Sequence, residues 1–192
     1  MKNFRSNFTL RAAGVFCCLM VTGSGAAFGD SALPSNGAVV VQSGSGSSLS
    51  SDEADSNHDG QGGADGWFVS NGFLGDARSN TRSDLLPWDG HSFCNFKGGS
   101  AQGVVLTYSA ISNIDIAANG DQLFSVMSSS PPSTVCFNFV DNQTLTFEAH
   151  YDVVGGTGRF KGASGTSVST GSGTMFVPGH TSVVFRQKLS FN

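Results

Sequence analysis

Charge is what this sequence has least of. Asp, Glu, Lys and Arg make up 12% of its 192 residues, against about 25% in an ordinary soluble domain. Lys and Arg number 10 and Asp and Glu 14, a formal net charge of −4, which argues against holding a nucleic acid by electrostatics. The Ala, Leu, Glu and Lys excess of coiled coils and helical bundles is missing. No Cys-x-x-Cys is present, so neither a zinc ribbon nor a thioredoxin-type site is supported. No apolar run reaches the about 20 residues of a membrane span. What the chain has in excess is glycine, 26 residues, nearly twice the usual roughly 7%. The length bounds the protein to one domain, or one with a small second unit.

The first residues read as a secretory signal over 1–29. Lys2, Arg5 and Arg11 form a basic start, Ala12 to Val21 an apolar stretch, and Ala27-Phe28-Gly29 a small-x-small cleavage site. Val15 and Phe16 stand where a lipid-anchor signal before Cys17 needs small residues. The expected location is therefore secreted or periplasmic, with no membrane span in the mature form. Cleavage leaves seven basic residues against 14 acidic ones, a formal charge of −7. It also removes Cys17 and Cys18, leaving Cys94 and Cys136. An even pair in an exported protein reads as one disulfide; the competing reading is a catalytic thiol.

Residues 30–66 are rich in Ser, Gly, Asp and Ala and carry no Lys or Arg. Such a stretch has too little apolar surface to offset its ordering entropy. It is expected to be a flexible leader, slightly extended over Asn36 to Gln42, with the ordered domain running over 67–192 from Trp67. From there the pattern has the period of strands. Leu145, Phe147, Ala149, Tyr151 and Val153 alternate with Thr146, Glu148, His150 and Asp152. Val104, Leu106, Tyr108 and Ala110, then Val135, Phe137 and Phe139, and finally Phe185, Leu189 and Phe191 repeat the pattern. Asn119-Gly120-Asp121, Pro131-Pro132, Asp141-Asn142, Gly155-Gly156 and Pro178-Gly179 mark turns. Short strands at this spacing predict an all-β, antiparallel barrel or sandwich.

Tyr151 to Gly165 reads YDVVGGTGRFKGASG. Gly155, Gly156 and Gly158 suit a tight turn, Thr157 and Arg159 lie within it, and Phe160 is placed to plug a barrel end. Gly162 and Gly165 suit close strand crossings. This run resembles the Val-Val-Gly-Gly-Thr-Gly-aromatic segment of the allene oxide cyclase and dirigent superfamily and of secreted bacterial proteins with the same barrel. The resemblance implies an eight-stranded antiparallel β-barrel, lipocalin-like in outline, over Trp67 to Asn192. It further implies a cavity in which a few polar groups orient an apolar ligand. Within that family, cyclases isomerise an unstable fatty-acid epoxide and dirigent proteins steer phenoxy-radical coupling, both without a cofactor. None of their catalytic residues matches a position here.

Other motifs point to chemistry more weakly. Lys161 follows Phe160 and precedes Gly162, so the glycines do not form a phosphate loop. Glu148, His150 and Asp152 oppose the apolar row and are expected on the solvated outer face. Were the barrel to hold a polar cavity, Glu148 and His150 would be first candidates for proton transfer. Asp55, Asn57 and Asp59 followed by Gly60 match the first half of a calcium loop, but Gly66 stands where the bidentate Glu belongs. A hydrophilic linker is the expectation there, and no metal ligand set is assigned. His91 and Cys94 lie close in sequence as base and nucleophile can, though such sites are assembled across a fold. Asn142-Gln143-Thr144 is a glycosylation sequon, meaningful in a eukaryotic secretory pathway. The leading expectation is a non-catalytic exported barrel that binds a small apolar ligand or a partner surface. The alternatives are a cofactor-independent isomerase or a dirigent-like protein. A dry, Phe-filled interior would favour a structural role, and a cavity above about 300 Å³ with converging polar groups ligand chemistry.

Overall fold

The computed structural model describes residues 33, 37–51, 54–59, 63–96, 103–138, 140, 143–177 and 179–192. Ten strands run along them: β1 (Val39–Ser51), β2 (Gly63–Gly72), β3 (Ala77–Leu85), β4 (Phe93–Cys94), β5 (Gly103–Ile116), β6 (Gln122–Met127), β7 (Thr134–Asn138), β8 (Thr144–Gly156), β9 (Gly165–Val177) and β10 (His180–Phe191). All pairings are antiparallel, and the β1–β10 and β3–β5 ladders close the sheet into a barrel. It has eight staves, because β6 and β7 lie end to end between β5 and β8, and the short β4 pairs only the start of β5. The expected all-β, eight-stranded antiparallel barrel is thus present. The signal region 1–29 lies outside the described residues.

The barrel begins earlier than Trp67. β1 and the start of β2 fall inside the stretch expected to be a flexible leader. β1 bonds to β10 from Val39–Ser190 to Leu49–His180 and to β2 from Gln42–Gly72 to Ser51–Gly63. Its missing apolar side chains are supplied by its neighbours. A Cβ on Gly44 would lie 2.8 Å from the Phe185 ring, and one on Gly46 2.6 Å from Phe68. The two rings meet edge to face, 5.6 Å apart. Two strands along, Gly171 of β9 makes the same room for Phe147. Glycine here makes space for aromatic rings from the adjacent strands, the arrangement known as aromatic rescue.

The end of the barrel at the β2–β3, β5–β6 and β8–β9 connections is plugged. Leu74, Leu123, Phe160 and Leu189 are fully buried there with Phe191, Ala117 and Val153. Phe160 comes from a 3-10 turn, Gly158–Phe160, that follows β8. Phe73 packs edgewise on Phe160, and the Arg159 guanidinium lies over both rings, 5.6 Å and 4.8 Å from their centroids. Asp121 accepts the Arg159 backbone N–H at 3.2 Å and the Asn119 amide at 2.9 Å. Those bonds, the Asn119 one foremost, hold its carboxyl below the ordinary range. Gly158, at φ +52°, leaves the space that Asp121 fills, since a Cβ would sit 1.7 Å from its Oδ1.

Cys94 and Cys136 form a disulfide that joins β4 to β7 beside β5. Gly103 of β5 clears its path; a Cβ there would approach Cys94 Sγ to 2.9 Å.

Candidate functional site

Above the plug the interior is a cavity of about 180 Å³. It extends toward the opposite end, where Ser50, Leu85, Met175 and Gly179 line it. One wall is apolar. The odd residues of β8, Leu145, Phe147, Ala149 and Tyr151, face inward with Val135 and Phe137 of β7 and Val183 and Phe185 of β10. The β8 alternation predicted this row.

The other wall is polar, and the sequence reading did not find it. β3 turns Ser79, Thr81 and Ser83 inward and leaves Arg78 and Arg82 exposed. Its partner β5 turns Asn113 and Asp115 inward and Ile114 outward. Asp115 is 1% exposed and Ile114 40%, the reverse of what hydrophobicity dictates. Registry explains the inversion. Ser79 pairs with Asp115 and Thr81 with Asn113, and directly paired residues share a face. The hydroxyl of Ser79 donates to Asp115 Oδ1 at 2.5 Å, and that of Thr81 to Asn113 Oδ1 at 2.6 Å. A register shift between Asp84 and Leu85 opposite β5 brings Tyr108 inward as well, although it is not in even step with Ile111 and Asn113.

Burial dominates the electrostatics of this wall. It pushes the Asp115 carboxyl up, while the Ser79 hydroxyl and the Asn113 and Gln187 amides favour its charged form. Neither amide meets the second oxygen, and Oδ2 has no hydrogen-bond partner. Burial pushes the Tyr108 phenol up to about 12. Tyr151 rises further, through burial first and then through Tyr108 and Asp115.

The folded state therefore holds the Asp115 proton more tightly than the unfolded chain does. Its contribution to stability is greatest at low pH and declines as pH rises from about 3.8 through the folded value. Asp115→Asn removes that decline. The variant should exceed the wild type in stability at pH 7 by about 1–3 kcal/mol, with the gap narrowing toward pH 3. Urea unfolding across that range checks it; a constant gap would refute the assignment.

The candidates expected from sequence lie elsewhere. Glu148 and His150 face outward, joined by a 2.8 Å bond between Oε1 and Nε2, and Asp152 shares their face. The proton-transfer candidates for a polar cavity are thus not these residues. The backbone N–H of His150 donates to Ser133 Oγ at 2.9 Å, and Tyr108 N–H to the Ser133 carbonyl at 3.0 Å. Ser133 thereby bridges β5 and β8 where β6 stops and β7 has not begun. Cys94 is held in the disulfide, so it is no nucleophile for the exposed His91, whose N–H donates to Asp89. In the calcium-like loop, Asp55 and Asn57 side-chain oxygens accept the Asp59 N–H, and Asp84 holds Ser56 and Asn57. Gly60 lies outside the described residues, as do Phe139 and Asn142. Among the described residues no cluster of three or more metal-ligating side chains occurs.

Fold and cavity define the class: an antiparallel β-barrel, plugged at one end, with a two-sided interior pocket. No family model matches the chain, and no curated protein or solved structure is detectably similar to it.

Proposed function

We propose that this is an exported, lipocalin-like barrel of the allene oxide cyclase and dirigent type that binds a small, mostly apolar ligand in its interior. The cavity carries this reading, because an apolar wall faces a polar wall that ends on the buried Asp115. Interiors built for stability alone do not bury an unpaired carboxyl. At about 180 Å³ the cavity is below the range of drug-sized pockets, about 300–1,000 Å³, and it suits a single ring or a short chain. Exposed apolar side chains stand at the same end as its upper lining. They include Leu86, Trp88, Phe93, Phe176 and Val177. The disulfide accords with an oxidising compartment.

Native mass spectrometry after exposure to a broad lipid and phenolic extract tests the reading. The wild type should retain a small molecule. Ala149→Phe, which fills the cavity from the apolar wall, should retain at least about tenfold less while keeping its β-sheet circular dichroism. No retained mass, or equal retention by the variant, would overturn it.

Asp115 also supports a second reading, a cofactor-independent isomerase. A buried carboxyl with a raised pKa is a proton-holding group inside the cavity. Turnover of an epoxy fatty acid above the buffer rate, lost in Asp115→Asn, would favour it. A rate equal to buffer excludes that substrate.

A further inference from the structure

We infer that the barrel cavity takes a small hydrophobic amine, with its ammonium group seated on Asp115 Oδ2. This rests on the reading of the cavity as a ligand site and names the head group that site accepts. Asp115 is 1% exposed, lines the cavity, and has one oxygen without a hydrogen-bond partner. Its other oxygen is engaged by Ser79. Among the described residues no Lys, Arg or His lines the cavity. The nearest basic side chains on β3, Arg78 and Arg82, are exposed on the outer face, and Arg82 is paired with Asp65 at 2.8 Å. The described residues thus place one acidic group in a low-dielectric interior and supply no counter-charge there.

The three classes of head group meet that arrangement differently. An ammonium donates to Oδ2 and brings the missing charge, a bond stronger than a neutral one. An alcohol donates one neutral hydrogen bond. A carboxylate meets an acidic group with no cation among the described lining residues to offset it. Burial pushes the Asp115 carboxyl up and the Ser79 hydroxyl and the Asn113 and Gln187 amides only partly offset it, so an ammonium seated on Oδ2 would itself supply what the charged form lacks. The opposite wall offers the rings of Phe147 and Phe185 to the apolar body, and aromatic faces also attract cations. The volume of about 180 Å³ limits that body to one ring with a short linker.

Three probes with one body and different heads test the inference: 2-phenylethylamine, 2-phenylethanol and 3-phenylpropanoate. Each is titrated calorimetrically into the full chain at neutral pH. The amine should bind roughly tenfold more tightly than the alcohol, and the carboxylate most weakly. In Asp115→Asn the advantage of amine over alcohol should vanish. An alcohol or carboxylate that equals the amine in the wild type overturns the inference but leaves the ligand-site reading standing. An amine advantage that persists in Asp115→Asn also overturns it. Binding of none of the three overturns it too, and the ligand-site reading then falls only if the extract yields no cavity-dependent mass. The wild-type ranking decides alone should the variant not fold.

Discussion

A chain beginning at Trp67 should not fold, whereas one beginning at Leu33 should match the full-length protein in unfolding midpoint. The shorter chain loses β1 and the first four residues of β2. The entire β10 ladder from Val39–Ser190 to Leu49–His180 goes with β1. Two unpaired edges result, on β2 and β10, and open edges recruit other chains. Phe68 and Phe185 lose the inward glycines over which they pack, and Gln187 loses its bond from the Gln42 amide. Leu33 and Val40 pack on the plug at the other end, so they too are needed. Losses on this scale exceed the about 5–15 kcal/mol by which a domain is stable. Circular dichroism and heat denaturation of the two chains decide the matter. A cooperative transition in the shorter one would show that β1 is dispensable.

Removing the disulfide is the second large effect. Cys94 and Cys136 are 42 residues apart. Closing a loop of that length lowers the entropy of the unfolded chain enough to stabilise the fold by about 4 kcal/mol. The Cys94→Ser, Cys136→Ser double variant should therefore melt roughly 8–16 °C lower. The bond ties β4, which has only a two-residue ladder of its own, to β7. The first region to loosen should be the β3–β5 connection. Calorimetry measures the fall in midpoint, and hydrogen exchange locates it. An unchanged midpoint would place the stabilisation elsewhere.

How much was legible in the chain depends on the kind of residue. The β8 alternation placed Leu145, Phe147, Ala149 and Tyr151 inside and Glu148, His150 and Asp152 outside, and the structure agrees. A strand with one apolar and one polar face carries its orientation in its own composition. The disulfide was legible too, because the expected cleavage of a signal leaves one cysteine pair, and the structure joins that pair. β1 was not legible. Its Ser and Gly residues state only that they contribute no apolar surface, and the Phe rings that replace it come from residues 68 and 185.

Asp115 shows the same limit in the cavity. Read locally, Ile114 and Ile116 flank it as apolar candidates for the interior, and nothing within β5 says that the carboxyl turns inward. The orientation follows from pairing with Ser79, 36 residues away, whose hydroxyl meets it. Local alternation along the chain was thus enough to establish an all-β protein and one core row, and the cysteine count to predict one bridge. Which wall is polar, where the barrel begins and which side chains line its cavity were settled between strands. A strand's own pattern fixes its period of two, but only its neighbour's register says which face is in.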